Sequence, residues 1–153
     1  MDRHSSLPRP DPRHDPQLLV VLAGTLLTGA GLWLWMPAGY AADVTSSLWL
    51  MLNIIFLYPL VEELLFRGVI QTELLRRPVL ARRHFGISRA NLITSILFIC
   101  LHLVHQAPLW AISVLLPSLV MGHFRERYGN LLAPILLHIL FNATWLTASV
   151  AGN

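Results

Sequence analysis

From Leu48 to Leu60 the chain carries no charged residue. Two positions later it sets two carboxylates side by side, in the run Tyr58-Pro59-Leu60-Val61-Glu62-Glu63-Leu64-Leu65-Phe66-Arg67. A charge at membrane depth costs roughly 2.5–3.5 kcal/mol on insertion scales. Two in succession require partners inside the protein, because hydrocarbon offers none. The segment therefore asks for a bundle in which other elements bring polar groups to Glu62 and Glu63. Ionisable residues placed in this way read by default as a functional site.

The rest of the chain supplies such a bundle. It has 153 residues, 55% hydrophobic and 12% charged, against about 25% charged in soluble domains. The apolar residues are gathered into long stretches, so the expected class is all-α, a polytopic transmembrane helix bundle of about five spans. The spans read as Gln17–Met36, Ser46–Phe66, Asn91–His105, Pro108–His123 and Leu131–Val150. The third and fourth fall short of the ~20 residues of a full crossing. They fit tilted helices or a re-entrant pair around Gln106-Ala107-Pro108. The first could mimic a signal peptide, but its length and its terminal Trp33 and Trp35 fit a retained span with an interfacial belt. Gly24, Gly29 and Gly31 predict close helix packing there. Residues 1–16, rich in Pro, Arg, His and Asp, read as a disordered cytoplasmic tail, and 17–153 as a single membrane-embedded domain.

Charge sets the orientation. All eleven basic residues are arginines. Arg67 directly follows the second span. The other ten lie before the first span (Arg3, Arg9, Arg13), between the second and third (Arg76, Arg77, Arg82, Arg83, Arg89) and between the fourth and fifth (Arg125, Arg127). With five spans these segments share one side, which predicts a cytoplasmic N-terminus and an outer C-terminus in the cell (inner) membrane. Topology thus accounts for the basic balance, and nucleic acid is not an expected partner. The loop from Arg76 to Arg89 is expected to meet anionic headgroups. His123, Arg125 and Arg127 read as an anchor. Cys100 is the one cysteine, which excludes an internal disulfide.

Three helices carry the candidate chemistry. Glu63 and Arg67 are spaced i,i+4 and can pair on one face, leaving Glu62 free. Phe98 and His102 have the same spacing on the third span, with His105 further along. His138 and Asn142 repeat it on the fifth. At ~1.5 Å rise per residue, Glu62 lies on the order of 6–8 Å from the cytoplasmic end of its predicted helix, His138 on the order of 10 Å, and His102 and Asn142 on the order of 16 Å. One polar cavity can hold all four, and Pro59 and Pro134 can kink their helices to widen it.

A carboxylate with a histidine can deprotonate water. A second histidine with an asparagine can donate hydrogen bonds to a developing oxyanion. Together they describe amide hydrolysis within the membrane. Glu62, His102 and His138 could instead ligate zinc and leave a position open for water. Spacing leaves both readings open, together with plain interhelical hydrogen bonding, a transporter's carboxylate pair and a non-catalytic binding or immunity protein.

The motifs Glu62-Glu63-x-x-x-Arg67, Phe98-x-x-x-His102 and His138-x-x-x-Asn142, in this order over about Leu48 to Val150, resemble those of the CPBP intramembrane proteases. That family, also called Abi, comprises CAAX prenyl protease type II and bacteriocin-processing enzymes. The resemblance implies a glutamic-type peptidase with no cofactor, in which Glu62 and His102 activate water and His138 with Asn142 form the oxyanion site. Glu63 and Arg67 would be supporting residues, and Phe98 would pack the site. It also implies a small prokaryotic member acting on a membrane-anchored protein or peptide, such as a C-terminal sorting tail or a bacteriocin-like peptide.

Overall fold

The computed structural model describes residues 10–35 and 47–151. The expectations for Arg3, Arg9, Trp35's side chain, Met36 and the loop after it lie outside them. The described chain folds as an all-α bundle with one small hairpin. Its elements are α1 (Pro16–Trp35), α2 (Leu48–Leu75), α3 (Pro78–Ala81), the antiparallel pair β1 (Arg83–His84) and β2 (Ile87–Ser88), α4 (Arg89–His102), α5 (Pro108–Ser113), α6 (Leu115–Tyr128) and α7 (Leu132–Ala151).

Local chemistry sets the ends. Asp15 accepts the Gln17 N–H at 3.0 Å, with Pro16 in the first turn of α1. Ser47 and Ser88 cap α2 and α4 through their hydroxyls. Gly129, with φ +67°, stops α6 in the left-handed region, and Asn130 accepts the Leu132 N–H as α7 begins.

By length and composition, α1, α2 and α7 are long and apolar enough to cross a membrane. The other two predicted spans are shorter. α4 is an apolar helix that stops at His102 rather than His105. The stretch expected to form one span from Pro108 to His123 is broken at Val114 into α5 and α6, and α6 continues to Tyr128.

The second span needs a larger correction. Its helix does not end at Phe66 but runs to Leu75. Its later polar groups do not stop it because α6 offers them hydrogen-bond partners. Arg67 donates to the Ser118 carbonyl and hydroxyl, and Gln71 to the Gly122 carbonyl. Glu62 therefore lies about 20 Å from that end of α2, not 6–8 Å.

α2 is not a regular helix. Asn53–Leu57 and Leu64–Gln71 are π-helical turns. In the first, the Tyr58 N–H reaches back to the Asn53 carbonyl, five residues away. Pro59 has no N–H to offer, so the Ile54 carbonyl is left without a backbone donor.

α7 packs on α1, α6 and α2, while α4 lies between α6 and the second half of α2. The core under α1 joins Met121, Phe124, Tyr128 and Leu137 with Leu18, Val21 and Leu22. Gly29 is where α1 and α7 approach closely: a Cβ there would overlap Thr144 Cγ2, whereas Gly24 and Gly31 meet nothing. Gly122 of α6 does the same against Asn91 of α4.

Charged groups cluster at one end. Arg83 pairs with Glu126 at 2.8 Å, and Arg127 with Asp15 at 2.5 Å. Asp15 is 2% exposed and also accepts the Tyr128 hydroxyl. Pro12–His14 forms a short turn just before it. These residues, assigned from composition to an unstructured tail, are held because Asp15 caps α1 and pairs with α6 at once. His123 also reaches α1, at Gln17 Oε1, and Arg125 donates to Thr72.

Candidate active site

Glu63 sits at the centre of the polar cluster with no exposed side-chain surface. Its Oε1 accepts Arg67 NH1 at 2.9 Å, the i,i+4 pair expected from the spacing. The same oxygen lies 2.9 Å from Nδ1 of His138, across on α7. Arg67 is also fully buried, and its NH2 is held by the hydroxyl and carbonyl of Ser118. Ser118 in turn donates to Ser95, and Ser95 to Asn91, both on α4. A buried ion pair needs further hydrogen bonds to its partners. Here Ser118 of α6 supplies them to Arg67 and His138 of α7 to Glu63, while Glu63 Oε2 and Arg67 Nε have none among the described residues.

Glu62 differs from its neighbour. Its side chain is 24% exposed, and Oε2 lies 3.7 Å from Nε2 of His138. His138 thus stands between the two carboxylates, one nitrogen toward each. Of the two, Glu62 is the one a substrate can reach.

Phe98 joins the remaining parts. It is 1% exposed. Its ring lies 4.4 Å from that of His102 and 5.8 Å from that of His138, and the Arg67 guanidinium sits 4.9 Å from its centroid. Phe66 meets it edge-on at 5.0 Å. His102 and His138 therefore flank one aromatic ring. His102 Nδ1 is turned onto the Phe98 carbonyl of its own helix, 2.9 Å away, which leaves Nε2 as its outward nitrogen.

Asn142 is occupied otherwise than its spacing predicts. Its Nδ2 donates to the Ile54 carbonyl at 2.8 Å, the carbonyl that the π-turn and Pro59 deprive of a backbone donor. His105 lies in the exposed turn after α4. Among the described residues no three His, Cys, Asp or Glu side chains are placed to hold a metal ion. Glu62, His102 and His138 are not gathered into such a group in this arrangement.

The sequence reading missed Ser118, Ser95, Asn91 and Gln71. Each is a small polar residue in an apolar helix, with no motif to mark it. The signal for Ser118, Ser95 and Asn91 was the need to satisfy Arg67, whose five donors one carboxylate cannot saturate. Gln71 bonds Gly122 and Glu126 instead.

Residues 44–144, well over half of the chain, match the family model described as type II CAAX prenyl endopeptidase Rce1-like. A protein of Escherichia coli described as an uncharacterized 24.3 kDa protein is 33% identical over 127 residues. The match covers 80% of this chain and 56% of that protein, so this chain spans little more than half the length of that relative. No solved structure matches. With Glu62, Glu63, Arg67, Phe98, His102, His138 and Asn142 all inside the matched region, the chain belongs to the Rce1-like type II CAAX prenyl endopeptidase family of intramembrane proteases.

Proposed function

We propose that the protein is an intramembrane endopeptidase that hydrolyses a peptide bond of a membrane-anchored protein or peptide. The observation that carries this reading is the approach of Glu62 Oε2 to Nε2 of His138, 3.7 Å apart, in the exposed part of an otherwise buried polar cluster. Glu62 is the general base. It takes a proton from water as the water oxygen bonds to the scissile carbonyl carbon. The proton then passes to the amide nitrogen as the C–N bond breaks.

His138 presents Nε2 to the same space, with its other nitrogen fixed by Glu63. His102 presents Nε2 from the far side of Phe98. With Nδ1 bound to an acceptor in each case, Nε2 of both imidazoles accepts a hydrogen bond from the water. An imidazole donates to the oxyanion from Nε2 only when both of its nitrogens carry hydrogen. Asn142 contributes to the oxyanion site only if it lets go of the Ile54 carbonyl. In place, it fixes the π-turn that leads into Glu62.

The N-terminus lies in the cytoplasm and the C-terminus outside, in the cell membrane. The clustering of the described inter-helix arginines at one end of the bundle supports this orientation. The substrate classes implied by the family resemblance are C-terminal sorting tails and bacteriocin-like peptides.

The test is cleavage of candidate membrane-anchored substrates by wild type and Glu62→Gln, with and without a chelator. Loss in the variant and retention with chelator are the expected results. Full activity of Glu62→Gln would overturn the proposal and leave a binding or immunity protein. Loss with chelator alone would restore the zinc reading.

A further inference from the structure

The hairpin between α3 and α4 has no part in the site, yet among the described residues it carries the one non-glycine with positive φ. Arg83 pairs with Ser88 and His84 with Ile87, which leaves Phe85 and Gly86 as a two-residue turn. Both have positive φ, +52° and +82°, as in a type I′ turn. That turn favours Asn-Gly, because a bulky side chain is strained in the left-handed region. Phe85 adopts it nonetheless, and its side chain is completely exposed, at 105%.

The base of the hairpin is fastened. Arg83 and Ser88 both bond Glu126 on α6, and the Arg89 N–H bonds the Arg82 carbonyl. The hairpin is therefore held by α6 at its base, and at the turn by His123, which bonds the Gly86 backbone, so that the Phe85 side chain is what projects from the bundle.

Its surroundings say what it meets. From Arg76 to Arg89 there are five arginines and no acidic residue. Among the described residues no ion pair engages Arg77, Arg82 or Arg89. Val79, on α3, is a second exposed apolar side chain in the same loop. Aromatic and aliphatic tips within a basic field match the interfacial layer of an anionic bilayer, where phosphates lie above and acyl chains below. A second copy of the same surface would set arginine against arginine.

We propose that the Arg83–Ser88 hairpin is a membrane-surface anchor. Phe85 enters the interfacial layer, and Arg77, Arg82 and Arg89 contact lipid phosphates. The proposal is independent of the proteolytic reading.

The test uses the full chain in a Cys100→Ser background, with Phe85→Cys carrying an aromatic, environment-sensitive fluorophore. It is reconstituted into phosphatidylcholine vesicles with or without phosphatidylglycerol. The expected result is a blue shift, strong quenching by lipid-borne nitroxide and weak quenching by iodide. The effect should grow with phosphatidylglycerol and shrink in Arg82→Gln. The same label at Asn130→Cys, exposed at the same end of the bundle, should remain several-fold more open to iodide. Equal iodide quenching at the two positions would overturn the proposal. So would a shift that appears only at high protein-to-lipid ratio, which would mean contact between copies.

Phe85→Asn provides an unlabelled check, since asparagine suits the turn. It is expected to raise the unfolding temperature in detergent and to lose that gain in phosphatidylglycerol vesicles. The same gain in both media would also overturn the proposal.

Discussion

Nδ1 of His138 lies 2.9 Å from Glu63 Oε1, and this contact fixes which face of the imidazole does chemistry. An ionised carboxylate only accepts, so Nδ1 carries the hydrogen, and Nε2 is left turned toward Glu62. Glu63 is therefore more than the counter-ion of Arg67. It holds the tautomer of the histidine beside the proposed base.

Removing that carboxylate should break two contacts at once. Glu63→Ala strands Arg67 in the interior and is expected to cost about 3–5 kcal/mol of stability. Glu63→Ala/Arg67→Met should recover much of that loss in thermal unfolding in detergent, yet should not restore cleavage. Restored cleavage would show that Glu63 acts only as a counter-ion.

Phe98 touches both imidazoles and the guanidinium. Phe98→Ala is expected to cost about 3–5 kcal/mol and to abolish cleavage. Phe98→Leu, which fills part of the volume without a ring, should retain more of the stability than Phe98→Ala and still lose most of the activity. Unfolding temperature and turnover, measured on the same preparations, separate the two effects.

Asn142→Ala should leave the Ile54 carbonyl without its donor. The expected result is faster amide exchange across residues 53–58, with α7 itself unchanged. Hydrogen exchange read by mass spectrometry tests this directly. Unaltered exchange in that segment would show that the bond contributes nothing to the turn.

The Asp15 latch predicts a pH dependence. Arg127 holds the Asp15 carboxyl down at about 2, from an ordinary 3.8. On the other side, burial and the bond to Asp15 push the Tyr128 hydroxyl up to about 12. The folded carboxyl is the stronger acid, so its contribution is complete above about pH 5 and is lost as pH falls from about 4 toward 2. Asp15→Asn should lower stability near neutrality by about 1.5–3 kcal/mol and flatten that acid limb. Unfolding of both proteins across pH 2–6 provides the measurement.

Gly29→Val drives a side chain into Thr144 and should cost about 1–3 kcal/mol. Gly24→Ala, which meets nothing, should be silent. Unfolding in detergent compares the two.

The helical class, the three motifs and the Glu63–Arg67 pair were legible because each rests on spacing along one helix. What joins different helices was not. Nothing in the sequence says that His138 would approach Glu63 more closely than Glu62, or that Asn142 would turn to Ile54. The end of α2 was misplaced for a related reason. A basic residue after an apolar run reads as a boundary, and only α6 reveals that Arg67 and Gln71 are buried. The hairpin escaped notice because Phe-Gly is not a turn pair that local preference favours.

The five-residue hydrogen bond from Tyr58 to Asn53 places the two carboxylates in a frame offset by one residue from the apolar start of their own helix. Deleting a single residue between 53 and 57 would restore regular winding and leave Trp49 and Leu52 at nearly the same angle to Glu62, because the five-residue turn already absorbs the extra residue. An insertion there has no such turn to close and would swing them by about 100° around the axis. The length of this apolar stretch is thus a matter of phase as well as of reach.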